Sequence, residues 1–527
     1  MKQRVQALLR TQFERDAVLE KPKDRSFGHY ATPIAFSLAK ELRKSPMVIA
    51  EELASSFSES EVFSAVESVK GYINFRLSEH FMNEYASWAL ENEPLFGNAE
   101  CSEKMLLEFV SANPTGPLHI GHARGAVYGD TLLRLGRRLG YDITAEYYVN
   151  DAGNQIDLLG LSLQLEGQSA ILKQEVEWPE KYYRGEYLSD LAVEASAKFG
   201  NEIFNDEARQ VELALWAKDK VMELIVSDLA DANIHFDTFV SEASLYGDWD
   251  RVMGKLGEGA YKDDEGKVWL RSTEHGDEKD RVIVREDGRP TYLAGDIIYH
   301  NRKFEQGYDH HINIWGADHH GYISRVKSAA QFLGHNADDL EILLSQMVSL
   351  LKDGEPYKMS KRAGNVILMS DIVSEIGADA LRFIFASKKS DTSLEFDVEE
   401  LKKQDSSNPI YYINYAHARI QTILEKSDLS REAIEATPLL GLNEDGDALL
   451  FEALLLPEVI EDAFHSRQVQ KLPEYLKSLA ARLHKFYYDY RIIGTEEEAK
   501  YLKLFLVVGL SLRVGLSMMG ITAKDRM

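Results

Sequence analysis

The run Met105–Val110 is apolar except for Glu108, and it stops at Ser111-Ala112-Asn113-Pro114-Thr115-Gly116-Pro117-Leu118 before His119-Ile120-Gly121-His122 opens a helix-patterned stretch. A short apolar run bounded by turn residues reads as a buried strand. Prolines and a glycine end it, because proline cannot donate to a ladder and glycine frees the backbone. A strand that feeds a helix through such a turn belongs in a parallel sheet, with any ligand at the strand's carboxyl end. The first amides of the helix lack partners and carry the positive end of its macrodipole, so the turn is an anion site that suits a phosphate. Gly121 leaves the backbone open to a planar base, while His119 and His122 are donors that also bear charge near neutral pH. Two histidines beside a glycine are equally the makings of an ordinary satisfied turn.

A second stretch supplies the other half. Lys358-Met359-Ser360-Lys361-Arg362-Ala363-Gly364-Asn365 follows another apolar run, Ile342–Leu351, about 235 residues after the first loop. Alone it reads as a solvated charge run. Together, in this order and each after a strand-like segment, the two resemble the HIGH and KMSKS signatures of class I aminoacyl-tRNA synthetases. The extended form, Ser111 to His122 followed by Ala123-Arg124-Gly125-Ala126, is most similar to the arginyl-tRNA synthetases, and the resemblance covers nearly the whole chain.

At 527 residues the chain exceeds one core, and three domains are expected. Cys101 is the only cysteine, which excludes internal disulfides and a Cys-rich zinc site and fits a reducing compartment. No apolar stretch of signal length follows Met1-Lys2-Gln3-Arg4, and none is expected to span a membrane, so a cytoplasmic monomer is expected. A net charge of −26 opposes contact with a polyanion. From Lys402 onward, 16 Lys/Arg face 18 Asp/Glu, so that part is near neutral and RNA would have to meet local basic patches.

Periodicity predicts a multidomain α/β protein. Residues 1–100 read as a small α/β domain: Ala35, Phe36, Leu38, Ala39 and Leu42 recur at helical spacing, and Val69 to Leu77 alternates as a strand does. Residues 101–395 read as a Rossmann-like parallel-sheet domain carrying a helical insertion at about 154–259. After it the sheet is expected to resume with Val268–Leu270, Val282–Val284, His311–Trp315 and Ile342–Leu351. Amphipathic stretches such as Leu449 to Phe464 and Tyr475 to Tyr488 predict an all-α bundle over 396–527. His310-His311 and His319-His320 are residues of a zinc-ligating type, but adjacent residues of an extended segment point to opposite faces, and no structural zinc is expected.

The resemblance implies roles. The N-terminal domain would meet the corner of the tRNA, with Tyr72 and Asn74 on an unpaired base; a tyrosine at a sheet edge is the plain alternative. His119, His122, Lys358 and Lys361 would act on the phosphates of ATP. Its site would be lined by Ala112, Asn113, Pro114, Thr115, Gly116, Pro117, Leu118, Ile120 and Gly121, with Gly316, Asp318, His319, Met359 and Ser360. Mg²⁺ would travel with the nucleotide. L-arginine, a cation that wants carboxylates, would meet Glu108, Asn113, Tyr292 and Asp296, although Glu108 is equally placed to pair with a lysine of the chain. The bundle would read the anticodon of tRNA-Arg through Tyr411, Tyr415 and Arg419, unless the tyrosines are core. The ending Ala523–Met527 resembles the family's usual terminus, which implies a complete chain, and the family's need for tRNA before it activates its amino acid is expected here too.

Overall fold

The computed structural model describes residues 1–22, 24–57, 60–357 and 366–527. β1 (Tyr30–Thr32), β2 (Phe63–Val69) and β3 (Tyr72–Leu77) form an antiparallel sheet in the order β1-β3-β2. Ile73, Phe75 and Leu77 alternate inward from β3 because that face meets the helices Ile34–Leu42 and Pro46–Ser55. Ser45 starts the second helix by accepting from Met47 N–H, with Pro46 in the first turn, where its missing N–H costs nothing.

The catalytic-sized middle of the chain begins with β4 (Lys104–Glu108), β5 (Asp142–Val149) and β6 (Thr238–Ser241). β7 (Ala260–Lys262), β8 (Val268–Leu270) and β9 (Arg281–Val284) follow, then β10 (His310–Gly316) and β11 (Leu340–Ser345). Five of these make one parallel sheet in the order β11-β10-β4-β5-β6. The order reverses between β4 and β10, and the crevice at their carboxyl ends is where such a sheet holds its ligand. The helix Ile120–Arg138 lies directly on the sheet: a Cβ at Gly129 would stand 2.4 Å from the Phe109 ring, so only glycine permits the approach.

Three expectations about strands are corrected. β6 lies inside the stretch read as a mostly helical insertion and was not foreseen as a strand; four residues are too few to show alternation against a polar background. β8 and β9 do not resume the parallel sheet but pair with β7 in a separate antiparallel one, in keeping with their half-exposed side chains, whereas β10 is nearly continuous in its burial. The run Ile342–Leu351 is two strands, β11 and β12 (Val348–Lys352), the latter between β13 (Glu355–Pro356) and β14 (Leu394–Asp397). The break falls at Gln346-Met347 because the guanidinium of Arg124, itself buried, takes both of their carbonyls at 3.1 Å.

The helices Pro409–Glu425, Glu444–Leu454, Leu456–His465, Lys471–Asp489 and Glu498–Met518 form the C-terminal bundle. The last is long and apolar enough to cross a membrane, contrary to expectation, but 83% of its apolar window is buried inside the bundle, as befits a core helix. Arg382 ties the bundle to the middle of the chain. Fully buried, it meets Asp130 of the helix Ile120–Arg138 and the carbonyl of Met519, and donates to Ala232 C=O at 2.8 Å and Asn233 C=O at 3.2 Å. Arg134 holds the same Asp130 carboxylate at 2.6 Å.

Candidate active site

The turn after β4 is strained. Val110 and Ser111 both adopt positive φ, 69° and 43°, a region that β-branched valine strongly disfavours. The reversal swings Ser111 Oγ back to accept from Tyr148 N–H at 3.1 Å and to donate to Glu108 Oε1 at 2.9 Å. Asn113 is thereby left exposed at the crevice, with Ala112, Pro114 and Thr115 buried behind it.

His119 caps the following helix. Its Nδ1 accepts from Gly121 N–H at 3.1 Å, and His122 Nδ1 accepts from His119 N–H at 3.3 Å. The rings stack at 3.6 Å. With both Nδ1 atoms accepting, the neutral rings carry their protons on Nε2. Burial pushes the His119 imidazole down and, with His119 beside it, takes His122 to about 3. The pair therefore supplies neutral Nε2–H donors, and the expectation that they carry charge near neutral pH is corrected by burial. Nor is the room at Gly121 free for a base, since a Cβ there would sit 3.0 Å from His119's own ring.

The segment after the lysine loop is built onto the histidine loop. Ile120 N–H donates to Ile367 C=O and Met369 N–H to Leu118 C=O, each at 2.9 Å, as His119 bridges Leu368. Lys358, Met359, Ser360 and Lys361 lie outside the described residues. On the far side of the crevice Gly316 ends β10 and Asp318 and His319 follow it, both exposed, with His319 Nε2 3.7 Å from Asp318 Oδ2.

Carboxylates crowd the strands' carboxyl ends. Glu108, expected to meet a guanidinium, is already occupied: Lys303, also buried, pairs with its Oε2 while Ser111 takes Oε1. Glu146 has Tyr299 Oη at 2.8 Å and Arg302 at 3.3 Å, and Asp151 has Lys218 at 3.5 Å. Two acids have no cation among the described residues. Asp296 stands on the first turns of the helix Tyr292–Glu305, below half-exposed Tyr292, and keeps a partly open face to the crevice. Burial, then Glu242 and Glu108, push its carboxyl up to about 7. Glu242, just past β6, is 3% exposed; its Oε1 accepts from Tyr246 Oη at 2.9 Å and its Oε2 has no hydrogen-bond partner. Burial raises it as well. The two flank Gly295, where a Cβ would come within 2.6 Å of Glu242 Oε1. Two adjacent, unpaired carboxyls under tyrosines fit one thing: a planar cation with several N–H donors. Glu242 was not foreseen, and the signal was faint, a lone glutamate after a four-residue strand.

The predicted RNA-facing residues divide. Tyr72 is 38% exposed with its ring against Phe36 at 5.4 Å, whereas Asn74, two residues on and on the same face of β3, is only 6% exposed between its partners Ala31 and Glu67 of the flanking strands. On the bundle, Tyr411 stacks beside exposed Tyr415 at 6.2 Å. Arg419 donates to Tyr415 Oη at 2.9 Å and lies over the Tyr415 and Tyr487 rings at 4.6 and 4.7 Å.

A histidine-capped loop at the carboxyl end of β4, joined by backbone to Ile367–Met369 and set in a parallel-sheet domain between a small N-terminal domain and a helical bundle, is the arrangement of a class I aminoacyl-tRNA synthetase. Residues 87–424 match the family described as tRNA synthetases class I (R), catalytic domain; residues 1–77 match the arginyl tRNA synthetase N terminal domain and 413–527 the DALR anticodon binding domain. The arginine–tRNA ligase of Sulfurimonas denitrificans is 72% identical over 99% of both chains, and that of Nitratiruptor sp. 64% identical over 100% of both. A crystal structure of a Campylobacter jejuni protein titled as an arginyl tRNA synthetase superposes with a TM-score of 0.83 at 57% identity, covering 86% of this chain and 100% of that one. The chain belongs to the arginyl-tRNA synthetase family.

Proposed function

We infer that the chain is an arginine–tRNA ligase: it activates L-arginine with ATP to arginyl-adenylate and pyrophosphate, then transfers arginine to the terminal adenosine of tRNA-Arg. The observation that carries the choice of amino acid is the unpaired pair Asp296 and Glu242 beside the nucleotide loop. Asp296 and Glu242 fork the guanidinium, Tyr292 covers it, and Asn113 holds the α-amino or carboxylate end. Glu108 acts one step back, fixing Lys303 and Ser111.

The substrate carboxylate attacks the α-phosphorus and pyrophosphate leaves, so the protein's work is alignment and charge stabilisation. The Nε2–H groups of His119 and His122 donate to phosphate oxygens, and the backbone from Ala112 to Gly121, with Gly316, Asp318 and His319 opposite, holds the nucleotide. Lys358 and Lys361 meet the charge that grows on the phosphates, and Met359 and Ser360 belong with them to the ATP site. Mg²⁺ belongs to the nucleotide, with ATP oxygens and water as its ligands. We read the protein as a cytoplasmic monomer that meets the tRNA corner through Tyr72. Charging of tRNA with each amino acid in turn tests the reading: arginine alone should be attached, and attachment of glutamine or glutamate without arginine would sink it.

The near-neutral bundle must hold the anticodon by stacking and hydrogen bonds, and Tyr411, Tyr415 and Arg419 form a ready platform. Tyr415→Ala should lower charging of the normal tRNA by roughly tenfold, since one stacked base is worth about 1–3 kcal/mol, and lower it far less for a transcript with an altered anticodon. Equal losses on both transcripts would make Tyr415 a packing residue.

A further inference from the structure

The nucleotide loop cannot hold itself in place. Pro114 and Pro117 have no N–H to donate, and within its first half Thr115 N–H donates to Asn113 C=O at 2.8 Å, a bond that spans only two residues. Two of its carbonyls are instead taken by phenols from different parts of the chain. Tyr147 Oη, from β5 and fully buried, donates to Ala112 C=O at 2.9 Å. Tyr187 Oη donates to Thr115 C=O at 2.7 Å, and its ring end lies over Gly116, where a Cβ would be 3.5 Å from the hydroxyl.

Tyr187 belongs to the helix Glu186–Phe199 of the insertion, not to the parallel sheet. The helix and the segment leading into it are anchored on the helix Asn154–Glu166: Ser189 Oγ donates to Glu166 Oε1 at 2.5 Å and, ahead of the helix, Tyr183 N–H donates to Ser162 Oγ at 2.9 Å. A helical arm thus places one half-buried hydroxyl on Thr115, just behind the exposed Asn113 and beside half-exposed Gly116. Three residues further on, Leu118 C=O accepts from Met369 N–H, so Thr115 to Leu118 is held on one flank by the insertion and on the other by the segment behind the lysine loop.

We propose that Tyr187 is a positioning residue for adenylate formation: its hydroxyl sets the stance of Thr115-Gly116, and through them the line along which carboxylate and α-phosphate meet. This rests on the function inferred above. Tyr187 touches neither substrate in this role, so its loss should act on the rate of the chemical step rather than on the capture of arginine, whose carboxylates lie across the crevice.

The test is arginine-dependent ATP–pyrophosphate exchange with tRNA present, for wild type, Tyr187→Phe and Tyr187→Ala, with melting temperatures measured alongside. Tyr187→Phe keeps the ring over Gly116 and loses only the donor, so kcat should fall roughly tenfold while the KM for arginine stays within about twofold and the melting temperature within about 1 °C. Tyr187→Ala also uncovers Gly116 and should raise the KM for ATP as well. A Tyr187→Phe kcat within about twofold of wild type overturns the inference. So does a loss of activity that merely tracks a lowered melting temperature or a lowered fraction of active enzyme in both variants. Wild type lacking arginine-dependent exchange removes the functional reading itself and the inference with it, an outcome distinct from unaffected variants of an active enzyme.

Discussion

Asp296→Asn should lower kcat/KM for arginine by about 10²–10³, because removing one partner of a desolvated charge pair costs roughly 3–5 kcal/mol. Glu242 cannot make good the loss, since one of its oxygens already accepts from Tyr246 Oη and a single free oxygen remains. The same crowding makes arginine binding a proton-linked event. With no guanidinium beside it, Asp296 titrates near 7, raised first by burial and then by Glu242 and Glu108, with Lys303 opposing. A guanidinium favours the ionised acid, so arginine must displace a proton at lower pH. Affinity should therefore climb as pH rises through about 7 and level off above. The stability sign agrees. A carboxyl whose folded pKa is raised favours the fold in acid and loses that contribution as pH rises through the folded value, so added arginine should raise the melting temperature more at pH 8 than at pH 6. Calorimetric titrations in buffers of different ionisation heat would count the released protons. An unchanged arginine KM in Asp296→Asn, or an affinity flat from pH 6 to 8, would falsify the assignment.

The second large effect is on folding. Arg382→Met should lower the melting temperature by roughly 10 °C, taking 3–5 kcal/mol for a broken buried charge network and about 2–4 °C per kcal/mol for domains of this size. The substitution strands the carbonyls of Met519 and Ala232 and leaves Asp130 to Arg134 alone. Arg382→Lys should recover little, since one ammonium cannot reach three directions at once. A thermal melt within about 2 °C of wild type would mean that water replaces the guanidinium at little cost.

What was legible in the sequence is what local chemistry writes locally. Met105–Val110 and the loop behind it announced a strand, a turn and a capped helix, and a parallel sheet follows from that unit. The bundle was legible because long helices repeat their apolar face many times. The rest depended on pairings the chain does not advertise. Glu108 and Asp296 looked alike as acids for a cationic substrate, yet Lys303, one turn beyond His300, takes Glu108 and leaves Asp296 unpaired. Glu242 and Asp296 are brought together by the packing of the short helix Glu242–Leu245 against the helix Tyr292–Glu305, elements about 50 residues apart in the chain. Whether a histidine carries charge depends on what buries it, so the neutrality of His119 and His122 had to come from the fold. β6 itself is four residues long and earns its place by pairing, not by pattern.

The knot of bonds around Arg382 also orders events during synthesis. Its Met519 partner is made 137 residues later, an interval of roughly 10–30 s at bacterial elongation rates. Until then the nascent chain has Asp130 and the Ala232 carbonyl for the guanidinium but not the last one, and Asn233, which donates to Gly520 C=O at 2.9 Å, waits as well. The parallel sheet can thus leave the ribosome with every strand present and still lack its final clasp. Translation of the tail closes the middle, and a ribosome stalled anywhere in the bundle would hold an unfinished nucleotide fold with a buried arginine still seeking a carbonyl.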